Sequence, residues 1–355
     1  GECQSGTAAE AERRRSANFV CDSRLLVTQQ GGRTRALLRR ALSRRSSRLP
    51  LAAAMKFRAQ IGSALQLSKL VGSMAKLGDS CLAHFSSNMI QFAVSAESEG
   101  VRAHADVHPQ TLFLSYRIES KAAENRISFF VKLDNLARAL KTASGLQVDT
   151  SLKLTKKNGV PMLTFEIKGQ GQGPDVQHDV PLRIVTDVDE LAAYREPSLP
   201  DDVAAISVVF PATELRALRN VVERMRAISD YLQLTASGSD ASGGGAGGGT
   251  LKLEAEKDNL VSIATTYARL DVQLLRGAEA ATADAEAQRG VHEAVARVEA
   301  KKLQKVLAAL LGTDIKVHNA LLCIIPHTSV VLKFFLPDQN TGSSCLIFYL
   351  PACLL

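Results

Sequence analysis

The feature that most constrains this chain is a strand-and-helix unit met four times. Residues 55–61 read as a strand, and after Gly62-Ser63 the apolar positions Leu67, Leu70, Val71, Met74 and Leu77 recur at helical spacing. The same order returns at 127–131, followed by Leu133, Leu136, Ala137 and Leu140, with Asp134 placed to cap the helix. It returns again at 206–210 before Leu215, Leu218, Val222 and Met225, and at 291–298 before Leu303, Val306, Leu307 and Leu310. The units begin about 72, 79 and 85 residues apart, which is too long for solenoid repeats and right for half-domains.

Between the helices lie alternating segments that read as strands: 81–85, 90–94, 101–107, 112–118, 148–154, 162–167, 178–185, 232–235, 251–255, 261–265, 321–325, 330–335 and 345–350. Turn signals such as Lys157-Asn158-Gly159 and Glu99-Gly100 separate many of them. Many strands and four helices in two similar halves imply an α+β protein, each half having antiparallel sheets with two helices on one face. The expected domains are 55–185 and 203–355, joined by an acidic, Pro-rich connector at 186–202. The Gly-rich stretch 238–249, the Ala- and Glu-rich loop at 271–290 and the polar stretch 337–344 read as solvated insertions.

The chain has 355 residues and a net charge of +7, but the excess is not spread over it. Residues 1–54 hold eleven Arg, no Lys and four acids, so the remainder is neutral. This Arg- and Ser-rich segment lacks periodicity, and Met55 is the first methionine. It is expected to lie outside the working fold as upstream sequence; an organelle transit peptide and a basic targeting or nucleic-acid-binding arm are the alternatives.

Within the neutral remainder the four helices together carry a charge of +8, which leaves −8 for everything else. If they share one face, the molecule has a basic and an acidic side. A basic face of helices can hold a phosphate backbone without reading bases. A single basic helix is ordinarily just a solvated surface helix, so the argument rests on all four having one sign.

Signatures of catalysis are absent. Gly169-Gln170-Gly171-Gln172-Gly173-Pro174 follows a strand, but Pro174 and the strand after it leave no helix N-terminus for a pyrophosphate, so it reads as a hairpin loop. There is no GxxxxGK[ST], GxSxG or HExxH, and the six cysteines form no CxxC pair. His104 and His108 read as sheet residues rather than metal ligands. No catalytic residue, metal site or cofactor is expected. No stretch approaches the roughly 18 apolar residues of a membrane span, so no membrane partner is expected.

Several segments resemble a known family. They are Met55-Lys56-Phe57-Arg58-Ala59, Leu136-Ala137-Arg138-Ala139-Leu140-Lys141-Thr142-Ala143, His178-Asp179-Val180-Pro181-Leu182-Arg183-Ile184-Val185, Val221-Val222-Glu223-Arg224-Met225-Arg226-Ala227-Ile228-Ser229 and the ending Phe348-Tyr349-Leu350-Pro351-Ala352. They are similar to the Hus-one family, the hydroxyurea-sensitivity subunit of the heterotrimeric nine-one-one DNA checkpoint clamp. The resemblance implies a DNA sliding-clamp fold. It further implies two partner subunits (Rad-nine-like and Rad-one-like), a ring around double-stranded DNA with helices lining the channel, a dedicated clamp loader, tethered DNA repair enzymes, a nuclear location and no catalytic activity. Under that reading Lys69, Lys76, Arg138, Lys141, Arg216, Arg219, Arg226, Lys301, Lys302 and Lys305 are the expected phosphate contacts. A homotrimeric replication clamp of the same fold is the nearest alternative. An organelle-imported enzyme is the alternative of another class.

Overall fold

In the computed structural model the described residues are 55–96, 100–146, 149–169, 174–197, 204–238, 248–257, 260–276, 293–337 and 344–353. The 1–54 segment, and the inner parts of the loops at 170–173, 239–247, 277–290 and 338–343, lie outside them.

Four long helices form: α1 (Ala64–Ala75), α2 (Leu133–Leu146), α3 (Leu215–Arg226) and α4 (Ala300–Leu311). Each buries the stripe expected from its period. Leu215, Leu218, Val222 and Met225 of α3 are buried on one side, and each is worth roughly 2 kcal/mol as an upper estimate of transfer from water. Ser63 caps α1 by accepting from the Gln66 amide at 3.3 Å. Asp134 is not a cap: α2 begins at Leu133, so the carboxylate sits inside the first turn, where it faces the positive helix end. The third helix is preceded by a single 3₁₀ turn at Ala212–Glu214.

Among the described residues seventeen strands form one hydrogen-bonded network behind these helices. In the first half they are β1 (Lys56–Ile61), β2 (Ser80–Phe85), β3 (Ile90–Ala96), β4 (Val101–Val107), β5 (Phe113–Glu119), β6 (Ile127–Lys132), β7 (Thr150–Lys157), β8 (Val160–Ile167) and β9 (Val176–Ile184). In the second they are β10 (Ala204–Pro211), β11 (Tyr231–Ser237), β12 (Gly249–Lys257), β13 (Val261–Arg276), β14 (Glu293–Glu299), β15 (Asn319–Ile325), β16 (Ser329–Phe335) and β17 (Cys345–Pro351). Lys157 pairs directly with Val160, so Asn158 (φ 51°) and Gly159 (φ 83°) close a two-residue hairpin in the left-handed conformation that Asn-Gly accepts.

Pairing repeats between the halves. β1 lies between β5 and β7, as β10 lies between β13 and β15; β2 lies between β3 and β6, as β11 lies between β12 and β14. The sequence reading differs from the structure at two points here. Leu112 ends a helical turn, Pro109–Leu112, rather than starting a strand. Residues 271–276, read as loop, are strand: β13 runs 16 residues and does alone what β4 and β5 do together. Its first part pairs with β12 and its last with β10, and the change of sheet falls at Arg269 (φ 60°), beside an irregularity at Gly249. Residues 271–276 are held there by antiparallel pairing with β10.

The halves join where β4 and β17 pair antiparallel, from Cys345 opposite Asp106 to Tyr349 opposite Arg102. The segment between them contains a helical turn, Val188–Ala192, capped by Asp187. It is fastened to the sheet: Tyr194 packs edge-on against Phe130 (5.1 Å), Arg183 forks onto Glu190 (2.6 and 3.0 Å), and the Tyr349 hydroxyl donates to Glu196.

Candidate nucleic-acid interface

The four helices make one layer. α1 packs on α2, α3 packs on α4, and α1 touches α4 across the junction of the halves. Because each apolar stripe faces the sheets, the opposite faces of all four helices point to solvent together.

The structure sorts the ten expected phosphate contacts into groups. Lys141, Arg216 and Lys301 are exposed, with no acidic side chain within ion-pair distance among the described residues. Arg138 is exposed and turns back to Asn135 and the Asp134 carbonyl of its own helix. Arg226 donates to Gln304, tying α3 to α4, and Lys302 pairs with Glu299 at 2.6 Å with its side chain 15% exposed. Arg219 and Lys305 are half-buried, and the Arg219 Nε is buried without a hydrogen-bond partner.

Lys69 and Lys76 do something else. From one face of α1 they reach the C-terminal end of α4: Lys76 Nζ donates to the Ala308 carbonyl (3.2 Å), and Lys69 Nζ donates to the Asp314 carbonyl (2.8 Å) and lies 3.3 Å from its carboxylate. A helix C-terminus carries partial negative charge, so two ammonium groups suit it, and the Ala308 carbonyl accepts from the Gly312 amide as well as from Lys76. Gly312 makes room, since a Cβ there would stand 2.3 Å from the Lys76 ammonium. Gly72, between the two lysines on the same face, lies against Thr313.

One cation counted in the charge of the third helix is not among the ten expected contacts. Arg224 is exposed, and by the 3.6-residue period it falls opposite the Val222 and Met225 stripe, on the outward side that also carries Arg216. Position on the helix would have found it, because Arg219 and Arg226 lie closer to the buried stripe.

The buried titratable groups elsewhere follow burial, while the partly exposed carboxylates Glu119, Glu166 and Glu190 are lowered by their basic hydrogen-bond partners. His84 accepts from or donates to the Ser128 hydroxyl at 2.7 Å, and burial, helped by Arg126, lowers its pKa to about 4. His104, edge-on to Tyr349, is lowered by burial as well, and burial raises Asp106 and pushes the Cys81 and Cys345 thiols to about 12. Among the described residues no group of three or more His, Cys, Asp or Glu side chains could hold a metal ion, and no helix is long and apolar enough to cross a membrane.

Sheets backing a single layer of helices are the sliding-clamp arrangement. The crystal structure of PCNA from Thermococcus kodakaraensis superposes with a TM-score of 0.57 and 16% identity, covering 84% of this chain and 100% of that one. Residues 55–353 match the family described as Hus1-like protein, and the chain belongs to that family. The checkpoint protein hus1 homolog of Dictyostelium discoideum is 29% identical over 293 residues, covering 80% of this chain and 98% of that protein. Human checkpoint protein HUS1 is 27% identical over 301 residues, covering 80% and 99% respectively.

Proposed function

We propose that this chain is a non-catalytic subunit of a ring-shaped DNA checkpoint clamp in the nucleus, with 55–185 and 203–355 as its two clamp domains and 186–202 as the connector. The observation that carries the reading is the contiguous helix layer with its outward cations. Lys141, Arg216, Arg224 and Lys301 stand free to meet phosphates whatever the base sequence. Membership of a family whose relatives are named checkpoint proteins supports the signalling role.

The internal repeat supports ring formation. β17 covers the edge of β4, but the equivalent edges of the repeat, residues 261–268 of β13 and 176–181 of β9, pair with no strand among the described residues. Leu260 is 84% exposed beside the first of these edges, with Val261 and Ile263 also exposed. An unpaired edge flanked by apolar side chains calls for a cover. Repeating the β4–β17 junction between chains supplies one, and three subunits close the ring. The partners on either side are two unlike clamp subunits, placed around DNA by a loader, and the assembled ring tethers repair enzymes.

Light scattering tests this. The full chain alone is expected to be a monomer, and co-expression with the Rad-nine-like and Rad-one-like subunits is expected to give a one-to-one-to-one trimer. A stable homotrimer of the chain alone would replace this reading with a replication-type clamp, and a monomer indifferent to both partners would remove the clamp reading.

A further inference from the structure

One sheet face away from the helices is cationic. Arg58 of β1 lies directly opposite Arg117 of β5 on one side and Lys153 of β7 on the other, so three cations stand abreast across three strands. Like charges at directly opposed positions work against a sheet. Lys56, also on β1, joins the group two residues away, opposite Glu119.

The outer two cations of the row are answered. Arg117 forks onto Glu119 (2.7 and 3.0 Å), which Lys56 also approaches at 3.7 Å, and Lys153 pairs with Glu166 at 2.5 Å. The central Arg58 is exposed, has no carboxylate within ion-pair distance among the described residues, and acts on Glu166 only at longer range. Four cations against two carboxylates leave a local charge of +2, whereas a phosphoryl group on a Ser or Thr carries about −1.5 to −2 at neutral pH and three acceptor oxygens. The neighbouring row, Ser115, Gln60 and Ser151, supplies hydroxyl and amide groups beside the cations. Beyond Lys153 the row continues to Thr164 and then the Asp179 carboxylate, which accepts from that hydroxyl at 2.7 Å, so the cationic ground ends. A bounded site with room for one dianion suits a single phosphoryl group on a peptide. It does not suit the repeating charge of a nucleic-acid strand.

We propose that the outer face of β5, β1 and β7 docks a phosphorylated segment of a partner protein, the phosphoryl group seated on Arg58 between Arg117 and Lys153. The experiment is fluorescence anisotropy with the full chain and a labelled decapeptide of Gly, Ser and Glu carrying one phosphoserine, beside its unphosphorylated twin. The phosphopeptide is expected to bind at least about tenfold more tightly. Arg58→Ala and, separately, Lys153→Ala are expected to erase that margin, while Arg216→Ala on the helix layer leaves it intact. Arg58 is exposed and flanked by like charges, so Arg58→Ala is expected to melt no lower than the parent protein. Equal binding of the two peptides overturns the proposal. So does a margin that survives both sheet variants, or a duplex oligonucleotide that binds with the same dependence on Arg58.

Discussion

His84 shows how a single side chain makes this fold sensitive to pH. Its ring is half-buried between Ser128 and Arg126, and its pKa falls from 6.5 to about 4. The unfolded chain therefore binds a proton near pH 6.5 that the folded chain refuses until about pH 4, and stability is lost as pH falls through that window. With solvent screening at a partly exposed ring the loss is about 1 to 2 kcal/mol. Unfolding free energies from urea titrations at pH 7.5 and 5 are expected to differ by that much more in the parent protein than in His84→Gln; an equal difference would mean that the ring protonates freely. Nothing in the sequence marks His84 for this, since its strand is read correctly but its neighbour Arg126 comes from a separate loop. The cations of the helices are more legible. Their sign and helix are evident from sequence, while their partners are not: Lys69 and Lys76 hold a helix end 245 and 232 residues away, and no local pattern reports that.

The helices were legible because each buries a stripe at regular spacing, and the Asn158-Gly159 hairpin was legible because few residues tolerate its backbone. The single strand β13 was not, since its last part is paired on sequence-distant β10 and carries no local alternation of its own. At this scale the contact of α1 with the end of α4 makes a prediction that separates structure from binding. Lys69→Met with Lys76→Met removes two charge-assisted contacts between the halves, and is expected to cost about 1 to 2 kcal/mol and lower the melting temperature. The salt dependence of DNA binding by the assembled ring is expected to stay as it was. Arg216→Gln with Arg224→Gln should do the reverse, leaving melting unchanged while the slope of log affinity against log salt falls by about 2. If the lysine pair changes the slope and not the melting temperature, these lysines meet phosphate after all. Gly312→Ala belongs with the first pair, because its methyl group would occupy the place of the Lys76 ammonium.

At the scale of the whole molecule, two mechanisms of holding DNA make different demands on salt. Contact through the helix face weakens steeply as salt rises, because each neutralised phosphate releases counterions. Enclosure by a closed ring does not weaken in that way, since escape then requires either a DNA end or an opened interface. The unpaired edge of β13 allows the two to be told apart. Ile263→Glu alters a side chain that is 42% exposed in the isolated chain, so it is expected to change stability by no more than about 0.5 kcal/mol. The same carboxylate placed against a neighbour's strand would be desolvated, and assembly with the partner subunits is expected to fall about tenfold or more. Loaded rings of the parent protein should then survive a high-salt wash on closed circular DNA and be lost once the circle is cut. Ile263→Glu rings should be lost from both. The Arg216 and Arg224 pair should load less at low salt yet hold the uncut circle once closed. If parent rings leave circular DNA at high salt as readily as cut DNA, the helix layer grips a surface and encloses nothing, and the free edges of β9 and β13 need another explanation.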